Sequence, residues 1–340
     1  MANMITLVIL CVLVFSFTFV NGFHDGCNVV ATLIASRAMR PKVALAMAGL
    51  VEFLSPFAIL VLGASVSGTM QKLVNASLYS DPSMKSTALA FITAGIVSAI
   101  SWNLLTWKLG IPASSSHALI GGVVGAGLAA YGASNISWGY FFGKVVLMIF
   151  LTPLISFAVG FVVMKVVLVL LRNAGRGVNK FFVYIQWLMM AFLAFNHSYN
   201  DSQKSLGIIM ILMSIFYGTG ATDFPLWGIA LAALMLSSGI MLGGFGIIKT
   251  VGTGIYRVRP VHSFASQFTA GAVILGASLV GAPVSASQIV SSSIMGVGSA
   301  EHYKHVHWGV MGKIITSWII TIPIVGTLGA ILFFVFRMVF

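Results

Sequence analysis

The chain has 340 residues, 59% of them hydrophobic and only 7% charged, with a mean hydropathy of +1.04. Soluble globular domains carry roughly a quarter of charged residues, so this composition excludes one and indicates a polytopic membrane protein. The formal net charge of +12 does not imply a nucleic-acid partner, because the basic residues lie singly or in short loops between apolar runs, as topology and headgroup signals do.

The N-terminal Met1-Ala2-Asn3-Met4 lacks the basic region of a cleavable signal, and the apolar run continues past signal length, so it reads as the first span. About 20 apolar residues cross a bilayer. Cutting at polar and Gly/Pro-rich punctuation then predicts five segments in the first half: Met4 to Ser36, Val43 to Ser65, Thr87 to Trp107, Ala113 to Tyr131 and Trp138 to Leu171. Five more follow: Phe181 to Tyr217, Pro225 to Ile248, Ser263 to Val280, Val284 to Val297 and Val306 to Val339. Pro153 and Pro323 fall inside the two closing segments, where a proline kinks a helix. The expected organisation is a first repeat over 1–171, a basic linker over 172–180 and a second repeat over 181–340.

With Met1 outside, the basic groups Arg37, Arg40 and Lys42, then Arg172, Arg176 and Lys180, then Lys249, Arg257 and Arg259 all fall inside, as the positive-inside rule requires. The outside loops hold Lys72 with Asp81 and Lys85, or Asp223 alone. An odd number of segments per half inverts the second repeat relative to the first. A re-entrant hairpin for the third and fourth segments would leave the sides unchanged. Both termini are thus expected outside a plasma membrane and the linker in the cytoplasm.

Two motifs recur in the same order, which makes chance a poor explanation. Asn21-Gly22-Phe23-His24-Asp25-Gly26-Cys27-Asn28 returns within Asn196-His197-Ser198-Tyr199-Asn200-Asp201-Ser202-Gln203-Lys204, aligning Asp25 with Asp201, His24 with Asn200 and Asn28 with Lys204. Pro112-Ala113-Ser114-Ser115-Ser116-His117, with Gly125 and Gly127 beyond it, returns as Pro283-Val284-Ser285-Ala286-Ser287-Gln288, with Gly296 and Gly298. Only six acidic residues occur in the chain. A carboxylate at bilayer depth costs roughly 2.5–3.5 kcal/mol on insertion scales, so Asp25 and Asp201 should face a partner, a cavity or a cation. Their polar surroundings are expected to break the two long segments, freeing backbone groups for ions.

The Ser-rich motifs, with Pro112 and Pro283 in a first helical turn, would place the hydroxyls of Ser114, Ser115, Ser116, Ser285 and Ser287 beside free amides, a setting for a tetrahedral oxyanion. A helix cap or a small-residue helix contact is the bland alternative for these serines, and a structural ion pair with Lys204 is the alternative for the carboxylates. His117 is either an interhelical donor or a proton-handling group. Glu52 is a further carboxylate at membrane depth, without a match in the second half and without an assigned role. His302, His305 and His307 resemble a metal cluster, but with Glu301 and Lys304 they read as a solvated loop on the inner side. Cys11 and Cys27 form no framework of pairs, and no metal site, cofactor or nucleic-acid partner is expected.

The stretches NGFHDGCNVVATLIASRAMRP, GIPASSSHALIG, FNHSYNDSQKSLGIIM and GAPVSASQIVSSS resemble the paired signatures of the inorganic phosphate transporter (PiT) family, over essentially the whole chain. The resemblance implies a secondary carrier of phosphate, all-α and polytopic, with inverted repeats, outside termini and a site at the repeat interface; relatives are thought to form homodimers. In sodium-coupled members each half carries an Asn-Asp pair followed by a second Asn, and these bind cations and phosphate together with the serines. By that analogy Asp25, Asp201 and the five serines would take substrate, while Asp25, Asn28, Asn200, Asp201, His24, His117 and Lys204 would handle the coupling ion or proton.

The departures are readable. His24 replaces the first Asn, and Lys204 stands where a later Asn is expected, an ammonium that would repel a cation. Gln288 and Ala286 leave the second Ser motif poorer in hydrogen-bonding and titratable groups. The variant resembles the low-affinity bacterial branch that couples phosphate, often as a neutral divalent-metal complex, to protons. A sodium-coupled phosphate symporter and a carrier of another tetrahedral oxyanion such as sulfate remain alternatives, although carboxylates able to accept from a substrate P-OH favour phosphate. An enzyme is not expected: Ser116 and His117 are adjacent, point about 100° apart on a helix and lack an orienting group.

Overall fold

The computed structural model describes residues 2–175, 177–218 and 224–340; Met1, Arg176 and Asp223, used above to assign sides, lie outside the described residues. The described chain is helical, with no strand and a single antiparallel bridge, Val74 to Ile136. Twelve principal helices are found among those residues. The first six are α1 (Ala2–Ala35), α2 (Pro41–Leu54), α3 (Ser65–Gln71), α4 (Lys85–Lys108), α5 (Ser115–Tyr131) and α6 (Leu147–Leu170). The second six are α7 (Val178–Tyr217), α8 (Leu226–Leu242), α9 (Phe245–Gly254), α10 (Pro260–Leu279), α11 (Ala286–His302) and α12 (Trp308–Arg337).

Six helical stretches are long and apolar enough to cross a bilayer, seven if α8 and α9, bent by 71°, form one span. The sequence cut gave ten segments. The difference lies in α5 and α11, only 17 residues each, and in α10, whose buried face mixes His262, Ser263, Ser266, Gln267 and Thr269 with apolar residues. The short helices α3 and α9 were not separated by the sequence cut either.

Packing exchanges partners between the halves. The closing helix α12 lies along α5 and its counterpart α6 along α11, while α9 packs on α1 and α3 on α7. Side chains of the two long helices cap the short ones: Gln203 Oε1 accepts from the Val66 amide (2.9 Å) and Cys27 Sγ accepts from the Gly244 amide (2.7 Å). Lipid provides no hydrophobic drive between helices, so such contacts rely on close packing of small residues. A Cβ on Gly125 would overlap the Gly326 carbonyl, and one on Gly296 the Phe157 carbonyl.

The expected breaks at Asp25 and Asp201 do not occur. α1 and α7 run unbroken through both motifs, the latter for 40 residues, because neighbouring helices supply partners to the polar side chains and the backbone ladder need not open. The chain breaks before the Ser motifs instead, at Gly110 (φ 65°) and Gly281 (φ 74°), left-handed positions that glycine occupies without strain. Pro112 and Pro283 correspondingly precede the N-caps Ser114 and Ser285 and are not in a first turn. Pro153 and Pro323 both sit within helices that continue past them, α6 being preceded by a π-helical turn over Phe141–Val146.

The basic loops gather at one end. Trp187 Nε1 donates to the Ala38 carbonyl (3.3 Å), Thr250 Oγ1 to Gly110 (3.3 Å) and the His307 amide to Ile255 (2.9 Å). The loops around Asn75 and Asn135 close the other end, where the Asn75 amide donates to the Asn135 carbonyl (3.1 Å).

Gly125→Val and Gly296→Val should each lower the stability of the purified protein by about 1–3 kcal/mol through overpacking, read as thermal unfolding in detergent. Gly139, where an added Cβ meets nothing within 4 Å, serves as the control, and equal tolerance at all three positions would refute the close-packing account.

Candidate functional site

The two carboxylates sit midway along the long helices, and the i, i+4 spacing of a helix sets a second polar side chain on the face of each: Asn21 before Asp25, His197 before Asp201. These partners were not singled out from the sequence, though their spacing was visible there. Asn21 Nδ2 donates to Asp201 Oδ2 (2.9 Å), joining the two helices at their crossing. Ser115 Oγ contacts both Asn21 Oδ1 (2.6 Å) and Asp25 Oδ2, so the start of α5 is tied to α1.

Lys204 completes the other side. Its ammonium bonds to Asp201 Oδ1, to Ser116 Oγ (2.5 Å) and to the Val284 carbonyl (2.8 Å), three oxygens from three elements. Asn28, its counterpart, bonds through Nδ2 to the Asp25 carbonyl (3.0 Å), and its buried Oδ1 has no partner among the described residues. The two Ser motifs meet tip to tip: Ser116 Oγ donates to the Val284 carbonyl and Ser287 Oγ to the Ala113 carbonyl, each at 2.8 Å. Asp25, Asp201, Lys204, Ser115, Ser116 and Ser287 are at most 1% exposed, so the centre is closed to both ends.

The remaining sequence candidates lie in two groups. His24 bridges Asp25 Oδ1 (3.0 Å, from Nδ1) and Thr106 Oγ1 (3.1 Å, from Nε2), while its counterpart Asn200 donates to Ser278 Oγ (2.8 Å) and the Ala282 carbonyl (3.2 Å). Ser114 and Ser285 take the capping role: their hydroxyls accept from the amides of His117 (3.1 Å) and Gln288 (3.4 Å), and Ser285 Oγ also meets Ser287 Oγ (2.9 Å). Among the described residues, buried His117 has no partner for Nδ1, and both amide atoms of Gln288 lack partners. No bond joins His117 to either carboxylate among the described residues. At the loop of His302, His305 and His307, no three acidic, His or Cys groups among the described residues could hold a metal.

Glu52, unassigned from sequence, proves to belong here. Its Oε1 lies 2.7 Å from His197 Nδ1, and His197 Nε2 lies 3.2 Å from Asp201 Oδ2, off the line of a hydrogen bond but within ion-pair reach. Ser198 Oγ donates to the Glu52 carbonyl (2.8 Å), fixing α2 against α7. No local sequence signal could find this pair, because it spans two helices far apart in the chain. Three carboxylates, Asp25, Glu52 and Asp201, are thus buried together with one ammonium, Lys204, and the imidazoles of His24 and His197.

Comparison with known proteins gives this arrangement a family. Residues 21–329 match the model of the Phosphate transporter family. The chain is 36% identical over 336 residues to a probable low-affinity inorganic phosphate transporter of Bacillus subtilis (strain 168), covering 98% of this chain and 97% of that one. It is 34% identical to a protein of the same description from Rhizobium meliloti (strain 1021), covering 94% and 92%. Among solved structures, a sodium-dependent phosphate transporter superposes with a TM-score of 0.83 at 23% identity, covering 98% of this chain and all of that one, which shows a shared fold.

Removing one partner of a buried ion pair costs about 3–5 kcal/mol, and removing both costs much less. Glu52→Leu should therefore destabilise the purified protein strongly, and Glu52→Leu with His197→Leu should recover part of the loss. Strictly additive effects in thermal unfolding would mean that the pair is not coupled.

Proposed function

The chain belongs to the phosphate transporter family, and we propose that within it this protein imports inorganic phosphate, free or as a neutral divalent-metal complex, by symport with protons across the cell membrane. The family is one of transporters and not of enzymes. The observation that carries the proton reading is the oxygen shell of Lys204. A carboxylate, a hydroxyl and a backbone carbonyl are the hard ligands that an alkali cation would take, and here they already hold an ammonium on the chain. A tethered cation leaves no place there for an alkali ion from solution, so the coupling charge must arrive in another form.

The balance of buried charge supports protons in that part. Protonation of Asp201 would free Lys204, whose ammonium would then swing to an incoming phosphate, while Ser115, Ser116 and Ser287 donate to its oxygens as the two Ser tips separate. Asp25, bridged by His24 toward Thr106, is the second proton carrier; loss of its proton on the far side lets the tips close again. Asn28 and Asn200 orient the two acidic helices in this scheme, and Ser114 and Ser285 hold the helix starts. Residues 1–171 and 181–340 act as inverted repeats rocking about this centre, joined by the cytoplasmic linker 172–180, with both termini outside.

Uptake of labelled phosphate into liposomes, with pH and sodium gradients set independently, tests the reading. Uptake should follow the pH gradient and ignore sodium, and sodium dependence without a response to pH would overturn it. Asp25→Asn and Asp201→Asn should each cut the rate about 10–100-fold, the worth of a charged hydrogen bond. Lys204→Asn, which restores the residue found at the matching place in the first half, should lose proton coupling by a similar factor and gain a response to sodium.

A further inference from the structure

The same loop clasp closes both ends of the molecule. At one end the Ser137 amide donates to the Leu73 carbonyl (3.0 Å); at the other the His307 amide donates to the Ile255 carbonyl (2.9 Å). The backbone device repeats, but its side chains do not. The first clasp carries Asn75, Ser134 and Asn135, whereas the second carries Arg257, Lys304 and His305 at the corresponding places. These line a cavity of about 630 Å³ between the starts of α10 and α12 and the end of α11.

The one acid lining this cavity is already used. Glu301 Oε1 is paired with Arg259, and Oε2 accepts from Tyr256 (3.0 Å) and His262 (2.7 Å). Burial by itself would raise the Glu301 carboxyl, but the hydrogen bond from Arg259 and the neighbouring His262 outweigh it and hold the group below its ordinary value, so it stays ionised and satisfied. Arg257 and Lys304 are exposed and meet no carboxylate within ion-pair distance among the described residues. A positive-inside bias needs scattered basic residues only; a walled cavity with its acid neutralised and two cations left over is a more specific arrangement. A transport centre shared by both halves does not require it at one end alone.

We propose that this pocket binds a phosphate oxyanion, supplied by the headgroup of an anionic phospholipid or by inorganic phosphate on that side of the membrane. Arg257 and Lys304 provide the charge, and His302 and His305, whose ring centroids lie 5.0 Å apart with the planes tilted by 49°, provide further donors. This goes beyond the transport reading, since the pocket lies apart from Asp25, Asp201 and Lys204.

The test compares the full-length parent with Arg257→Gln/Lys304→Gln in detergent, following thermal unfolding during titration with a short-chain phosphatidylglycerol, with inorganic phosphate, and with a short-chain phosphatidylcholine as the neutral control. The transport centre is intact in both proteins, so only the difference between them reports on the pocket. Each cation near an anionic surface is worth roughly a factor of five, so the double variant should respond about 30-fold more weakly. Loss confined to phosphatidylglycerol identifies the lipid headgroup, loss confined to phosphate the free anion, and loss in both a general oxyanion site. Equal responses of the two proteins in both arms would overturn the proposal. Lys304→Gln alone, expected to lose about 5-fold, covers the case in which the double variant does not fold.

Discussion

A lysine ammonium fully buried at bilayer depth is the constraint on which the centre of this protein depends. Such a charge is tolerable only when its donors are met, and Lys204 meets them by drawing Asp201, the Ser116 hydroxyl and the Val284 carbonyl to one point. Those oxygens come from α7, from the tip of the first Ser motif and from the tip of the second. The requirement to satisfy one cation thereby brings both re-entrant tips onto the acidic helix, and the tips in turn exchange serine-to-carbonyl bonds. The groups proposed to bind substrate and those proposed to carry the coupling charge are held by the same contacts, which is the physical basis for linking one to the other in that proposal.

Pairs of contacts related by the repeat run through the whole molecule. Gln203 and Cys27 cap the short helices of the opposite half, Thr69 and Thr250 bond the Gly281 and Gly110 carbonyls, and α12 and α6 lie along the other half's Ser helix. Against that regular background the departures stand out, and each is chemical. Lys204 faces Asn28, His24 faces Asn200, His197 faces Asn21, and the Glu52 partner of His197 has no counterpart. Two halves with corresponding contacts thus carry different charges, one holding an ammonium and the other an amide oxygen with no partner among the described residues.

Much of this was legible before any coordinates. Membrane class followed from composition, because burial in lipid demands apolar surface over most of the chain. The duplicated motifs placed Asp25, Asp201, the serines and Lys204 together, since a carboxylate in lipid has to be answered by something polar. The helix breaks were misplaced: polar residues in α1 and α7 suggested an interruption, yet side chains can be satisfied from neighbouring helices without opening the backbone. Glycines at left-handed φ interrupt the chain instead, Gly110 and Gly281 before the Ser motifs and Gly63 and Gly243 before the short helices α3 and α9.

The sequence by itself determined the membrane class, the repeat of motifs and the residue types of the site, because hydropathy, composition and recurrence are properties of the chain read along its length. The tertiary structure alone decided who answers whom: that Glu52 pairs with His197, that Asn21 reaches Asp201, that Ser114 and Ser285 cap while Ser115, Ser116 and Ser287 converge. Those assignments depend on where helices from the two halves cross. A hydrogen bond between residues 145 positions apart is fixed by packing geometry over a few ångströms, for which the linear order of residues carries no local signal.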